Sequence, residues 1–252
     1  MGNSLLYRMP SGVPGDVTRP GEGAVIESGL FDTAKVPAAF GAPIKMVAGK
    51  VTKIEANDLA SVFYGLLCRI APSIAGDTLQ TLASGTPNPK SVQGILVRGF
   101  MNVLCLVGTP VRNAAVYMRV VVNGGKLVGD LEATADVTVA GGVITGTGTG
   151  TIAASISNMA TAIAGTWSLI LQTTSQTAKV TVVDPLGVRH ADATVGTAYT
   201  TSGLTFTITA AGTMTANDSF SPIVTANNVA LPGVVWAVDG LDADKNAEVR
   251  VK

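Results

Sequence analysis

The sequence Gly-Val-Ile-Thr-Gly-Thr-Gly-Thr-Gly-Thr at residues 142–151 marks a change in the composition of the chain. From here to about residue 225 the chain is rich in Thr and Gly, and its short runs alternate polar and apolar residues as half-buried strands do. The residues on either side have a different composition and predict two pieces of one β-domain. We therefore predict an all-β protein in which one β-domain carries a second, inserted one.

The predicted organisation has three parts. Residues 1–49 are expected to form an extended N-terminal arm with a short strand at 24–27, because prolines and glycines alternate there and both weaken regular strands. Residues 50–141 and 226–252 are predicted to form a discontinuous β-domain. Residues 142–225 are predicted to form an inserted β-sandwich domain.

Short β-like runs support this division. They are found outside the insert at 51–54, 62–69, 95–101, 116–122 and 247–251, and inside it at 167–171, 179–183, 204–209 and 220–224. Residues 151–164 fit both a helical spacing of apolar residues and a strand, and the sequence leaves these two alternatives open. Residues 75–91, rich in Gly, Ser, Thr and Pro, predict a surface loop.

Two turns connect these runs. Asn123-Gly124 predicts a hairpin turn, because both central residues of a type I′ turn need a positive φ, and strand, turn and strand account for residues 118–129. The sequence Asp-Pro-Leu-Gly at 184–187 predicts a second turn, with Asp at its first position, Pro presetting φ, and Gly closing it.

Charge and hydropathy limit the possible partners. The chain has 17 basic and 17 acidic residues, so its field favours neither nucleic acid nor an anionic membrane. Charged residues make up 13% of the chain, against roughly 25% in typical soluble domains, which predicts that partners bury some of the surface. The longest apolar segment, at 62–67, is far shorter than the ~20 residues of a spanning helix. No signal peptide is recognised, and we expect a soluble chain made in the cytoplasm.

Catalytic motifs are not recognisable in this sequence. His190 is the only histidine; alone it forms neither a triad nor a zinc site, and we expect it to face solvent. Cys68 and Cys105 lie in apolar runs and are expected to be buried thiols rather than a disulfide. The Gly-Thr repeat at 146–151 lacks the spacing of a phosphate-binding loop and is interpreted as a strand or linker.

Carboxylates do not form a recognisable motif either. Asp242, Asp244 and Asn246 match the first three ligands of a calcium loop, but Ala247 replaces its glycine, so a polar turn before a final strand is favoured over calcium. The other carboxylates singled out are scattered: Asp16, Glu22, Glu27, Glu55 and Asp58. We predict no catalytic, cofactor-binding or metal-binding residues, and an enzyme is the least favoured function.

The outer segments nevertheless resemble a known family, the structural cement (capsid-stabilising) proteins of tailed bacteriophages. The motifs that carry this resemblance are Leu-Leu-Tyr-Arg-Met-Pro at 5–10, Val-Pro-Gly-Asp-Val-Thr-Arg-Pro at 13–20, Ala-Phe-Gly-Ala-Pro at 39–43, Tyr-Gly-Leu-Leu-Cys-Arg at 64–69, Val-Arg-Gly-Phe-Met at 97–101, Gly-Thr-Pro-Val at 108–111, Ala-Val-Tyr-Met-Arg-Val at 115–120, Leu-Glu-Ala-Thr-Ala-Asp at 131–136, Leu-Pro-Gly-Val-Val-Trp at 231–236 and Asn-Ala-Glu-Val-Arg-Val at 246–251. Within the insert, the motifs at 165–169, 182–187, 193–199 and 204–208 resemble the small β-domains that decorate phage heads.

The resemblance implies a non-enzymatic function on the virion. A protein of this kind is expected to bind the outer capsid surface, bridge subunits of the major capsid protein and stabilise the head, with further copies of itself as partners. The arm at residues 1–49 is expected to help tie capsomers together by adding to neighbouring sheets. The alternative is a glycan-binding or host-binding β-module of a tail or fibre, which fits mainly the insert.

Overall fold

The computed structural model describes residues 12–21, 23–69 and 86–252, and these residues are all-β. They form four sheets, antiparallel except for one parallel pairing, with a single 3-10 turn at Ala60–Val62 and no α-helix among them. The predicted all-β class is confirmed. The chain divides into two compact units, residues 1–134 with 228–252, and residues 135–227.

The strands are numbered along the chain. They are β1 Val25–Leu30, β2 Pro43–Val47, β3 Lys50–Lys53, β4 Gly65–Leu67, β5 Val92–Val107, β6 Ala115–Arg119, β7 Leu131–Glu132, β8 Val137–Ala140, β9 Ile144–Thr145, β10 Thr151–Ile156, β11 Gly165–Thr166, β12 Ser168–Leu171, β13 Lys179–Val183, β14 Ala193–Thr194, β15 Tyr199–Thr201, β16 Leu204–Thr209, β17 Ser219–Phe220, β18 Ile223–Ala226, β19 Asn228–Trp236 and β20 Asn246–Val251. The first unit contains β1–β7, β19 and β20, and the second contains β8–β18.

Strand β5 organises the first unit, because its two halves belong to two closed rings of strands. Residues 92–98 pair with β1 and β4; β2 and β3 follow β4, and a bridge between Phe31 and Val51 returns the ring to β1. Residues 99–107 pair with β20 and β7, and β19 and β6 complete the second ring. Closing a sheet on itself removes the unpaired edges that a flat sheet would expose.

Gly99, here called the bend of β5, is the residue at which this strand passes from one ring to the other. Its φ is +130°, in the region that favours glycine. A Cβ atom there would lie 3.1 Å from the Cβ of Ala24 and 3.2 Å from the Cδ1 of Leu96. Both the backbone conformation and the close approach of a neighbouring segment therefore require glycine.

Two hydrophobic cores fill the first unit. The larger core surrounds the fully buried Trp236 and takes side chains from β4, β5, β6, β7, β19 and β20. The smaller consists of Phe31, Ile44, Val51, Leu67 and Ile95. Along β5, Leu96 belongs to the larger core and its neighbour Ile95 to the smaller one, as the alternation of side chains along a strand dictates.

A buried polar cluster lies where the chain leaves and re-enters the first unit. The Nε and Nη2 atoms of Arg119 donate to the two carboxylate oxygens of Glu132 at 2.7 and 2.8 Å, and neither side chain has exposed surface. The Nδ2 atom of Asn228 donates to Glu132 and, at 2.9 Å, to the carbonyl of Thr134. Asn228, the first residue after the second unit, is thus joined to Thr134, the last residue before it.

The second unit has a single core to which all three of its sheets contribute. The sheets have the strand orders β14-β13-β12-β17-β9, β10-β16-β15 and β11-β18-β8. Trp167 and Phe220 are fully buried in this core, and every second residue of β16 points into it. Sheets that pack face to face over one shared core form a small β-sandwich.

The structure confirms some predicted elements and corrects others. Residues 179–183 and 204–209 are strands with the predicted bounds, and residues 151–156 form a strand, which settles the open alternative against a helix. The run at 220–224 is split into β17 and β18 by Pro222, which has no backbone donor. The second unit begins at residue 135 rather than 142, because β8 packs into its core.

The predicted hairpin turn lies one residue further along. Its central residues are Gly124 and Gly125, with φ of 59° and 82°, and the N–H of Lys126 donates to the carbonyl of Asn123 at 3.1 Å. Glycine accommodates positive φ more readily than asparagine, so the Gly-Gly pair takes the two central positions. The flanking strands are shorter than predicted, since β6 ends at Arg119 and β7 begins at Leu131.

The segment predicted as an extended arm differs in part from that expectation. Residues 25–30 and 43–47 are strands β1 and β2 of the first ring, with the prolines and glycines placed mostly around them. Residues 1–11 lie outside the described part of the chain, as do residues 70–85, which include most of the predicted loop at 75–91.

The bend in β5 can be tested with Gly99→Ala. We expect a loss of about 1–3 kcal/mol in the free energy of unfolding, because the side chain forces an unfavourable φ and meets Ala24. Urea unfolding followed by intrinsic fluorescence measures this loss.

Gly49→Ala is the matched control for the bend. Gly49 also has a positive φ, 76°, but a Cβ there would meet nothing within 4 Å. Its loss should therefore be the smaller of the two, and equal losses would contradict a role for close packing at the bend.

Candidate functional site

His190 is held by hydrogen bonds inside the second unit, which corrects the prediction that it faces solvent. Its Nε2 lies 3.1 Å from a carboxylate oxygen of Asp184 and its Nδ1 lies 3.0 Å from the hydroxyl of Thr201. The imidazole ring packs on Trp167 with 5.6 Å between ring centroids, and its side chain is 19% exposed. The turn at 184–187 brings His190 back over the core, so the histidine fastens this turn to β15.

Asp184 is the centre of that arrangement. Its Oδ1 accepts hydrogen bonds from the backbone N–H groups of Leu186 and Val188, both at 2.9 Å. Burial raises the pKa of the Asp184 carboxyl, but the hydrogen bonds from Val188, His190 and Leu186 outweigh it, and the net shift is downward. A carboxylate used in this way organises a turn and is not positioned to act on a substrate.

The residues that resemble half of a calcium loop form a polar turn. The Oδ1 of Asp242 accepts hydrogen bonds from the backbone N–H groups of Asp244 and Asn246 at 3.0 and 2.7 Å, and β20 begins at Asn246. Within the described residues, no group of three or more His, Cys, Asp or Glu side chains is placed to bind a metal ion. The polar turn before a final strand is therefore what the structure shows.

The other carboxylates singled out in the sequence, as far as the structure describes them, bond to groups of the protein, and Glu55 and Asp58 share one partner. Glu55 and Asp58 both accept hydrogen bonds from Lys45 at 2.8 Å, Glu27 accepts one from the hydroxyl of Tyr64, and Asp16 accepts one from the backbone of Val13. Hydrogen bonds from Lys35 and Lys45 lower the pKa of Glu55 to about 2. Glu22 lies outside the described residues.

The two cysteines are buried and unbonded to each other. Burial raises the pKa of the Cys68 thiol to about 12 and that of the Cys105 thiol to about 11, which disfavours the reactive thiolate at neutral pH. They pack as small hydrophobic residues in the larger core of the first unit.

The Gly-Thr repeat connects β9 and β10. The N–H of Thr147 donates to a carboxylate oxygen of Asp218 at 3.0 Å, and that of Thr149 donates to the carbonyl of Thr213 at 2.9 Å. A Cβ at Gly148 or Gly150 would collide with Asp218 or Met214. The glycines therefore serve close packing, as the linker interpretation predicts.

Residues 12–19 form a segment that is seated on β5 and β20 of its own unit. Val17 makes a bridge to Met101, and Gly15 and Thr18 donate backbone hydrogen bonds to the carbonyls of Asn102 and Phe100. Arg19 donates to the carboxylate of Glu248 at 2.7 Å and stacks on the ring of Phe100 at 4.2 Å. This part of the predicted arm is anchored to its own domain.

An apolar groove of about 380 Å³ opens on the same unit. Its walls are residues 36–43, the outward face of β5 at Leu104 and Leu106, and residues 127–131, with Lys53 and Ile54 between them. Leu104, Leu106 and Leu127 are 37%, 39% and 60% exposed. The sequence offered a signal for it: Leu104, Cys105 and Leu106 place apolar residues on both faces of one strand, which indicates that both faces are covered.

The second unit carries exposed apolar residues on its loops and at the start of β18. Val143 is 81% exposed, Leu186 is 75% exposed and Ile223 is 48% exposed. Among the described residues, none of the helical segments has the length and apolarity that a membrane span requires. Exposed apolar surface on a chain with few charges is typical of proteins that work through contacts with other proteins.

Comparison with known protein families finds a match for this chain. The model of the family described as XM1 gp53 minor capsid protein matches residues 1–158. The match covers the first unit up to residue 134 and continues through β8, β9 and β10, while β19 and β20 lie beyond it. Comparisons with curated proteins and with solved structures gave no match.

The fold and the match together define the class of this protein. It is a phage capsid protein, with a structural, non-enzymatic role in the virion capsid and in association with other capsid components. Since the match extends over more than half of the chain, the protein belongs to the XM1 gp53 minor capsid protein family.

The buried thiols lead to a direct test. In the folded protein neither Cys68 nor Cys105 should react with a colourimetric thiol reagent at pH 8, because burial both blocks access and raises each pKa. In denaturant, two thiols per chain should react at once. Rapid reaction of either cysteine in the folded protein would contradict its placement in the core.

Proposed function

We propose that this protein is a cement protein that binds the outer surface of the phage capsid, bridges subunits of the major capsid protein and stabilises the head. The observation that carries the proposal is the match to a minor capsid protein family over residues 1–158. The motifs that resemble cement proteins, such as those at 13–20 and 39–43, lie mostly within that same range. The resemblance to cement proteins supports the two finer parts of the proposal, which are the location on the outer surface and the bridging of subunits.

The surface of the first unit suits this function. It combines an exposed apolar groove with closed rings of strands, so it offers apolar contact area and few unpaired edges that would cause aggregation. A capsid repeats one surface many times, so a modest interface per contact is sufficient when several contacts form together. Copies of the protein bound to neighbouring positions are proposed as further partners, in a homo-oligomer on the capsid.

Only the first residues of the predicted N-terminal arm are proposed to contact neighbouring subunits. Strands β1 and β2 belong to the fold of the first unit, and residues 12–19 are anchored to β5 and β20. Residues 1–11 precede this anchored segment, and we assign the contact with neighbouring capsid subunits to them.

Co-sedimentation with expanded heads that lack the protein tests the main proposal. We expect saturable binding at a fixed copy number and a shell that resists heat or denaturant better once saturated. The equal numbers of basic and acidic residues predict that binding changes little with salt concentration. Unexpanded heads and heads that already carry the protein are the controls. No saturable binding to the empty positions would contradict a cementing role.

Truncation tests the role of the N-terminal segment. A variant that lacks residues 2–11 keeps every described contact of residues 12–19, so it should still fold and unfold cooperatively. We expect it to be lost from capsids at least ten times faster than the full chain, because one of several simultaneous contacts is missing. Retention equal to that of the full chain would show that the β-domain alone holds the protein on the capsid.

A second candidate function applies to the second unit alone. The family match covers only its first 24 residues, 135–158, and its exposed Val143 and Leu186 lie on loops. A glycan-binding or host-binding module of a tail or fibre is the alternative that these loops suggest. Sugar sites usually present exposed aromatic rings, whereas Trp167 is fully buried. Binding of the isolated chain to a glycan array, without binding to heads, would favour this alternative.

A further inference from the structure

The apolar groove of the first unit is bordered by the residues at which the described chain begins. The carbonyl of Gly12 accepts a hydrogen bond from the Nδ2 of Asn246 at 3.4 Å, and Asn246 pairs with Leu104, whose side chain lines the groove. Three residues later, the N–H of Gly15 donates to the carbonyl of Asn102 and lies 3.0 Å from where a Cβ of Gly41 would be. Gly41 is one of the residues that line the groove. The chain that precedes Gly12 therefore starts close to the groove.

We propose that Leu5, Leu6 and Tyr7 of the same chain bind in this groove. These three residues are the longest continuous apolar run among the eleven residues that precede Gly12. The groove offers matching chemistry, because Leu104, Leu106 and Leu127 present apolar surface to solvent unless a partner covers them. A volume of about 380 Å³ suits a few apolar side chains.

The tether makes the same chain the favoured occupant. Tyr7 is five residues before Gly12, and five extended residues span up to ~17 Å at ~3.3 Å per residue. Such a short connection holds the segment at a high effective concentration beside its own groove. A separate peptide or a second copy competes only if its concentration in solution is as high. The inference concerns the protein alone and does not rest on capsid binding.

A pair of engineered cysteines tests this occupant in the full-length chain. Tyr7→Cys is combined with Leu127→Cys in one variant and with Val122→Cys in the other. Leu127 and Val122 lie on the same hairpin and are 60% and 61% exposed, but Leu127 lines the groove and Val122 does not. We expect the disulfide within one chain to form at least ten times faster with Leu127→Cys, measured by quenched oxidation and peptide mass mapping.

The native cysteines do not interfere, because Cys68 and Cys105 are buried in the core. A third variant adds Leu5→Ser and Leu6→Ser to the Leu127→Cys pair. If apolar contacts seat the segment, these changes should reduce the rate to that of the Val122→Cys pair. All three variants change exposed or N-terminal positions, and unchanged near-ultraviolet circular dichroism verifies the fold.

Three results would overturn the proposal. Equal rates for the two cysteine pairs would show no preference for the groove. A rate unaffected by Leu5→Ser and Leu6→Ser would show that the tether alone brings the cysteines together. Disulfides that form mainly between chains, at a rate that rises with protein concentration, would make a second copy the occupant.

Discussion

The first unit depends on the continuity of β5 through its bend at Gly99. One strand supplies pairing partners to β1 and β4 before the bend and to β20 and β7 after it, so the two rings share a single backbone. Because β5 contributes Leu96 to one core and Ile95 to the other, a shift of its register by one residue would exchange the two core faces. The bend separates the two registers, and its glycine lets each half of the strand follow its own ring. The anchored segment at residues 12–19 pairs with β5 just beyond this point, which ties the N-terminal region to the same element.

The second unit is inserted between two residues of the first unit that lie next to each other. The chain leaves at Thr134 and returns at Asn228, and the side chain of Asn228 bonds to the carbonyl of Thr134, so the two ends are adjacent. Adjacent ends let a domain of any size be inserted without stretching the host. The buried ion pair of Arg119 and Glu132 lies beside this junction. Removal of one partner from a buried pair typically costs about 3–5 kcal/mol, because the other charge is left buried and uncompensated.

Local patterns predicted the fold class and many of the strands, but not the pairings that make the site. The sequence was sufficient to predict β13, β16 and the turn at 184–187. The alternation of polar and apolar residues in the two strands and the residues of the turn are both local patterns. The strands β2, β7, β8, β14 and β15 are short, and β7 exists because Leu131 and Glu132 pair with β5 and β6, which no local pattern shows. Only one wall of the groove has a signal in the sequence, the apolar run at 104–106; that residues 36–43 and 127–131 form the other walls depends on the tertiary structure. His190 was misplaced for a related reason: its partner Thr201 is brought to it by the sandwich and not by sequence proximity.

The low charge of the chain and the apolar groove of its first unit both indicate a surface that is suited to contact with other protein segments. If the N-terminal segment occupies its own groove in the free protein, then any capsid contact made by residues 1–11 must first displace that segment. Apparent affinity in such a case is reduced by the fraction of molecules whose segment is released, so a single contact is weak. Several contacts formed together on a repeated lattice overcome this cost, whereas two free copies in solution do not. A covered groove would therefore keep the weakly charged protein monomeric before assembly. The same apolar surface would still be available for contact with the capsid.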